Sequence, residues 1–514
     1  MLQNGARSGD LPEYLPDVTI TVMAMIEALV SPFVSWFGYQ RRRTMVVFLV
    51  PLLVLILISW LLLPEARPKE ESEFCDGRDN SVHFGILEES SAIRLGVVIF
   101  SCLLFMLARI AIWCHGFAYI EEHGPDRVSL HFGVIVMVRV IVLAIGYHMV
   151  QLKVRHGQII GFIVGFVIQF LQIMYFMPTS TLKHQDRQKV PTEDRHFSVS
   201  IRRVLSNRLA LSQILSLGFL TAGLWGYGYH YSDIVKVKFL TYQNSTAMLF
   251  FTEIFQYLGI LMSVLYIGLR WSSPIQQQFC KLRALKQSLM MSIFAGVIVL
   301  VMALAVSCEH GRVAGLTGVQ YINPGCSAVC GCTARWREFS PVCVVDDMTT
   351  YLSPCQAGCG GAEDEGGLRV YKNCTCAISG RAVSGACGAA GCGAARALHR
   401  MLYVLLLTFG VLAIQAHGVL LLKTVDPRDK SVVLGLAGSS VALFAFVGGH
   451  IAFNGINEGT CVWSESGRCH LNSRHLPLLV SEISATMIFT STVLCLINFI
   501  YTKTKRSKIE VTRL

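Results

Sequence analysis

Charge is what this 514-residue chain has least of: Asp, Glu, Lys and Arg make up 15% of it, against 53% apolar residues. A soluble domain carries about 25% charged residues, so a freely soluble globule is excluded and an integral membrane protein is expected. Also missing are a Gly-rich loop to cradle nucleotide phosphates, a Gly-flanked nucleophilic serine and a zinc-protease helix motif. Their absence argues against ATP-driven pumping and against an enzyme, and no cofactor is expected. Residues 1–17 are polar and lack the pattern of a cleavable leader, so the first apolar run is expected to be its own anchor.

What the chain does have is long apolar runs. A bilayer core of about 30 Å needs roughly 20 residues of helix to cross it. Eleven such runs are readable, near residues 18–37, 44–63, 95–114, 128–150, 159–177, 209–230, 247–269, 288–307, 401–422, 431–453 and 476–501. A basic stretch from Pro178 to Arg208 separates five from six. The division predicts a helix bundle over 1–177, a central cytoplasmic loop over 178–208, three spans over 209–307, an insert over 308–397, three spans over 398–502 and a basic cytoplasmic tail over 503–514. Aromatics at every second position, Trp225, Tyr227, Tyr229 and Tyr231, are expected to form an interfacial belt.

Basic residues favour the cytoplasmic side of short loops, so Arg41 to Arg43 place the turn after the first run inside, and parity places every other loop. The sequons at Asn244 and Asn373 then both fall outside, where glycosylation requires them. The net charge of +11 is spread over several inner loops and the tail. That suits anionic headgroups of the lipid bilayer and not nucleic acid.

The insert holds eleven of the eighteen cysteines. Outside the cell such cysteines pair, and ten of them, Cys326, Cys330, Cys332, Cys343, Cys355, Cys359, Cys374, Cys376, Cys387 and Cys392, are enough for five bridges of undetermined connectivity. Cys308 stands apart at the membrane edge. Each bridge stabilises by roughly 2 to 4 kcal/mol, which a small Gly-rich unit with little core requires. Metal binding is not expected, because the ligand set lacks a matched histidine pair.

The stretch PVCVVDDMTTYLSPCQAGC resembles a Kazal-type module. With NPGCSAVCGC, YKNCTC, Cys387 and Cys392 it is similar to the form carried by organic anion transporting polypeptides. VDPRDKSVVLGLA (Val425 to Ala437) and GTCVWSESGRC (Gly459 to Cys469) resemble the start of that family's eleventh helix and its last outer loop. FAYIEEHGPDRVSLHFG and SPFVSWFGYQRRR are fainter likenesses to its fourth-helix turn and second helix. The resemblance implies a major-facilitator-type all-α membrane bundle with a Kazal-like extracellular domain at the plasma membrane. It also implies sodium-independent transport of amphipathic organic anions by alternating access. The first run matches the family's second helix, so eleven spans imply that helix 1 has no counterpart. Residues 151–170 lack the family's Trp-rich signature, Ala442 stands where many members have arginine, and Gly448 and His450 replace two prolines. A membrane scaffold that does not transport, acting through its Kazal-like ectodomain, is the alternative reading, and protease inhibition by the insert a weaker one.

Ionisable groups inside apolar runs are costly and face a cavity or a partner. Arg109 and Arg139 have two readings: to attract a substrate anion, or to pair internally with Glu27 or Glu253. His148, His417 and His450 either line a titratable pathway or serve as hydrogen-bonded helix residues. Glu482 is expected to stay solvated. Thr512 and a free Leu514 carboxylate suit a PDZ-domain groove. The outward assignment makes a prediction: wild type loses mobility-retarding glycan on glycosidase treatment, and Asn244→Gln and Asn373→Gln each remove one step of the electrophoretic shift.

Overall fold

Lipid offers no hydrogen bonds, so a spanning segment must satisfy its backbone internally, and bilayer-length apolar runs therefore become helices. The computed structural model describes residues 15–37, 55, 74–75, 89–123, 129–131, 133–135, 167, 196–240, 258–263, 265–266, 280–308, 311–317, 320–330, 332, 339–365, 368–388, 392–465 and 468–512. Among them seven helical stretches are long and apolar enough to cross a membrane. They contain α1 (Leu15–Phe37), α2 (Glu89–Ala111) continued by a π-turn (Ile112–Gly116) and α3 (Phe117–His123), α5 (Arg208–Tyr229), α7 (Cys280–Leu304), α8 (Gly393–Thr424), α9 (Lys430–Val441) continued by a π-segment (Ala442–Gly449) and α10 (His450–Gly459), and α11 (Leu476–Thr512). The expected runs at 44–63, 128–150, 159–177 and 247–269 lie wholly or largely outside the described residues.

Two shorter helices sit at the ends of α5. The helix α4 (Phe197–Ser206) is amphipathic, and Asn207 joins it to α5 by accepting from the Ala210 N–H at 3.3 Å. At the other end α6 (Tyr231–Phe239) follows a one-residue break at His230. The α5, α7, α8 and α11 helices share a core around Leu220, Tyr227, Val299, Leu406 and Ile488. A second core joins α2 to α5 and α9 through Ile110, Phe117, Ile214 and Val433, with Ile26 and Val30 of α1 packed against it.

The expected aromatic belt is corrected. Residues two apart on an α-helix lie about 200° apart around its axis, so the four aromatics cannot share a lipid-facing side. Tyr227 is buried, Tyr231 stacks on Tyr403 with centroids 3.7 Å apart, and Trp225 meets Phe446 edge-on at 4.8 Å.

The insert folds as a six-stranded sheet of order β1-β5-β4-β8-β7-β6: β1 (Arg312–Val313), β4 (Val342–Val344), β5 (Thr349–Tyr351), β6 (Gly361–Glu365), β7 (Leu368–Lys372) and β8 (Arg381–Ser384). A separate hairpin pairs β2 (Leu316–Thr317) with β3 (Gln320–Tyr321), and a last one, β9 (Cys461–Glu465) with β10 (Arg468–Asn472), precedes α11. Val342, Val344, Tyr351 and Tyr371 form a small core. Asn373 is exposed, with φ of 56°, a left-handed conformation that Asn tolerates.

All eleven insert cysteines are bridged, but not as five pairs among ten. The pairs are Cys326–Cys376, Cys332–Cys355, Cys343–Cys387 and Cys359–Cys374, with Cys308 joined to Cys392 and Cys330 to Cys75. Cys308 does not stand apart, because α7 and α8 bring the two ends of the insert together. Cys461 and Cys469 close the β9–β10 hairpin.

Gly226 of α5 lies flat against Phe453 of α10, and a Cβ there would fall inside the phenyl ring. Overpacking of this kind costs about 1 to 3 kcal/mol. Gly226→Val is expected to lower the thermal-unfolding midpoint in detergent, and Phe453→Ala in the same protein to relieve part of the loss.

Candidate functional site

The helices α1 and α9 meet through their smallest residues. Ala24, Ala28, Ser31 and Ser35 recur at spacings of four, three and four, which puts them on one helical face. They lie against Gly435, Gly438, Ser439 and Ala442. In membranes small residues let helix backbones approach closely, and here the approach brings hydroxyls to carbonyls. Ser31 donates to the Gly435 carbonyl at 3.0 Å and Ser439 to the Ala28 carbonyl at 2.8 Å. A Cβ on Gly435 would run into Ser35. The Ala442 side chain packs on Ala24 and Ala28, so a longer residue here would push the helices apart.

Beside this contact the seam carries charge. Arg109, in the last turn of α2, forms an ion pair with Glu27 of α1, whose side chain is 9% exposed. The Arg109 guanidinium also lies over the Phe446 ring, 5.5 Å from its centroid, a cation–π distance. Phe446 is on the π-segment after α9, and the π-turn after α2 starts three residues past Arg109. Such π-turns are rare and frequent at functional sites.

Polar groups close the seam at both ends. Toward the insert, Tyr229 donates to Asp17 Oδ1 at 2.5 Å, and His450 Nε2 lies 3.2 Å from the same oxygen. His450 also lies 3.2 Å from Asn454 Nδ2 and meets Tyr229 edge-on at 4.9 Å. At the opposite end Glu121 of α3, nearly buried, pairs with Lys423 at 3.2 Å and with Lys430. Arg203 of α4 grips Asp429 with two hydrogen bonds of 2.6 and 3.0 Å, a bidentate geometry that fixes orientation as well as charge.

Of the residues expected from sequence, Arg109 and His450 therefore belong to one seam. His417 does not. It is wholly buried among α5, α7, α8 and α11, with Nδ1 at 2.7 Å from Gln213 Oε1 and Nε2 at 2.8 Å from Ser288 Oγ. The acceptor oxygen of Gln213 assigns the proton to Nδ1, leaving Nε2 to accept from Ser288. Cys495 and Ser216 extend this network. Arg139, His148, Glu253 and Asn244 lie outside the described residues, as does Leu514. Glu482 is exposed. Among the described residues no group of three His, Cys, Asp or Glu is placed to hold a metal.

Asp17, Tyr229, Phe446, Asn454, Glu121 and Lys430 escaped the sequence reading as site residues. Glu121 and Lys430 lie in stretches that carry the family resemblance, and Tyr229 stands in the aromatic alternation that reads in sequence as an interfacial belt. Outside the spans, α6 holds two perturbed groups. Burial opposes ionisation of Asp233, but Lys236 and His230 outweigh it and hold the carboxyl far below its usual range. Burial pushes the Lys238 ammonium down to about 8. That ammonium donates to the carbonyls of Ala303 at 3.1 Å and Val306 at 2.9 Å, at the end of α7.

A sequence model of the Organic Anion Transporter Polypeptide (OATP) family matches residues 171–506, well over half of the chain. The chain is 28% identical over 218 residues to solute carrier organic anion transporter family member 2B1 of Mus musculus, covering 40% of this chain and 30% of that protein. It is 24% identical over 314 residues to family member 74D of Drosophila melanogaster, covering 57% of this chain and 36% of that protein. It is 29% identical over 187 residues to family member 1A5 of Rattus norvegicus, covering 32% and 28%. Each match thus spans about a third of the relative's length.

Removing Arg109, whose side chain is 35% exposed, strands the charge of the buried Glu27. Arg109→Met alone is expected to lower the thermal-unfolding midpoint more than the double variant Glu27→Gln/Arg109→Met. Equal losses would show that the two side chains are not coupled.

Proposed function

The chain belongs to the organic anion transporter polypeptide family, and on that premise we propose that it carries amphipathic organic anions across the plasma membrane by alternating access, without sodium. The observation that carries this reading is the Glu27–Arg109–Phe446 group at the seam of α1, α2 and α9. An amphipathic anion presents a carboxylate or sulfate beside apolar rings, and a guanidinium over a phenyl face, with Trp225 next to it, offers the complementary pair. In the conformation described, Glu27 occupies the arginine and both ends of the seam are closed. A substrate anion would displace the carboxylate, and the bundles would rock about the seam.

In this reading the bundle of residues 1–177 and the bundle beginning at 209 are the two moving halves. The insert is an extracellular Kazal-like cap, and the tail from 503 is cytoplasmic. Asp17 and His450 then form the outer closure, and Glu121 with Lys423 and Lys430 the inner one. Substrates of the bile acid, steroid conjugate, prostaglandin, thyroid hormone or xenobiotic class suit such a site. A PDZ-domain protein bound at Thr512 and Leu514 remains part of the proposal.

The second reading, a membrane scaffold acting through its ectodomain, draws support from the same ion pair, because a permanently matched arginine selects no substrate. Uptake decides between them. Cells displaying the chain are expected to accumulate a labelled steroid sulfate in sodium-free medium. Arg109→Ala, at equal surface amount, should lower uptake about tenfold, equivalent to about 1.4 kcal/mol. Uptake no greater than in mock-transfected cells would select the scaffold.

A further inference from the structure

At the end of the bundle away from the insert, the short helix α4 runs between the end of α1 and the start of α5. Its surroundings are those of a membrane boundary. The helix α1 begins beside Tyr229 at the insert end and, at about 1.5 Å per residue, its 23 residues carry it to the other end at Phe37. Val18, Val22, Met25, Leu29 and Phe33 recur along it at spacings of three and four and are between 45% and 80% exposed, a stripe that faces lipid. Phe197, the first residue of α4, meets the end of that stripe, its ring 5.0 Å from Phe33 and 5.7 Å from Trp36. Asn207 then caps α5, so α4 sits at the level where one span ends and another starts.

The residues of α4 divide by helical spacing. Ser200 and Val204 are buried, and Arg203 turns inward to Asp429. Phe197, Ile201 and Leu205 form an apolar row at intervals of four, and Ser198, Arg202 and Ser206 form a polar row beside it. Ser198, Arg202, Leu205 and Ser206 are exposed. Among the described residues, these two rows line an open groove of about 530 Å³. Two adjacent arginines are therefore used differently. Arg203 is matched by a carboxylate inside the molecule, and Arg202 stands at the surface next to an apolar row. A guanidinium in that position is complemented by an anion that brings an apolar body with it.

We propose that the open face of α4 is a binding site for an anionic phospholipid of the adjoining leaflet. The headgroup phosphate meets Arg202 between the hydroxyls of Ser198 and Ser206, and an acyl chain lies along Phe197, Ile201 and Leu205. An amphipathic helix in the interface plane buries its apolar row at the boundary of headgroups and acyl chains. An arginine there is drawn to negative headgroups and pairs with phosphate through two parallel hydrogen bonds. A zwitterionic headgroup offers the same phosphate with a cation attached, so the site favours lipids of net negative charge. Arg203, on the bundle side of the same helix, ties the occupied helix to Asp429 at the start of α9. The site depends on the chain spanning a membrane and is independent of whether it transports.

The full chain is placed in phosphatidylcholine nanodiscs holding a trace of a phospholipid with a photoactivatable diazirine in its acyl chain, either phosphatidylglycerol or phosphatidylcholine. Crosslinked peptides are then mapped by mass spectrometry. The phosphatidylglycerol probe should label residues 197–206 about fivefold more than the phosphatidylcholine probe. Arg202→Gln should abolish that preference and Arg202→Lys keep most of it, while labelling of the α1 stripe from Val18 to Phe33 stays the same and reports an intact bundle. Equal labelling of α4 by the two probes, or a preference that survives Arg202→Gln, overturns the proposal. So does an α4 that neither probe labels, which would show that another part of the chain covers the face. Inorganic phosphate, against chloride at matched ionic strength, should leave the preference in place; its loss would make a free anion the ligand and overturn the lipid. Should the Arg202 variants fold poorly, the comparison of the two probes on the wild-type chain still decides.

Discussion

Lipid solvates neither a charge nor a bare peptide group, and the arrangement of polar atoms in this chain follows from that constraint. Several ionisable side chains in or beside the described spans meet a partner from another helix. Arg109 meets Glu27 across α1 and α2, Glu121 meets Lys423 and Lys430, and Arg203 meets Asp429. His417 is hydrogen-bonded by Gln213 and Ser288. Because the partners come from different helices, satisfying each group also fixes how the helices sit. The polar residues are few, and they act as registration marks in a structure otherwise held by non-directional packing.

The seam between α1 and α9 is where these marks are densest, and its geometry depends on size as much as on charge. Glycine at 435 and alanine at 442 let the backbones come close enough for Ser31 and Ser439 to reach carbonyls across the contact. The larger Phe446, one turn further, then lands on Arg109. A larger side chain at 442 would hold the helices apart and leave the serines without those acceptors. Alanine at 442 therefore reads structurally as a packing choice. The positive charge of the seam is supplied from α2.

Sequence alone made the helices legible because length and hydropathy are local properties. All seven spans in the described residues overlap runs counted from the sequence. The Glu27–Arg109 pair was legible as one of two alternatives, since both residues stood out against apolar neighbours. Asp17, Tyr229 and Asn454 were not, because polar residues near span ends are ordinary and their meeting depends on how three helices cross. The aromatic pattern misled for a simple reason: an alternation that would share one side of a strand scatters around a helix. Cysteine pairing was legible as a need and not as a map. Cys75 lies outside the insert, and nothing near it in sequence marks it as the partner of Cys330.

The bridge between Cys308 and Cys392 spans 84 residues of sequence but joins the mouths of two adjacent helices. To the helices beneath, everything between those two cysteines behaves like a short hairpin. A domain can be enlarged or pared down at such a junction without moving the ends of α7 and α8 in the folded molecule. The membrane bundle is thereby shielded from whatever history shaped the ectodomain, and the two parts are free to diverge at different rates.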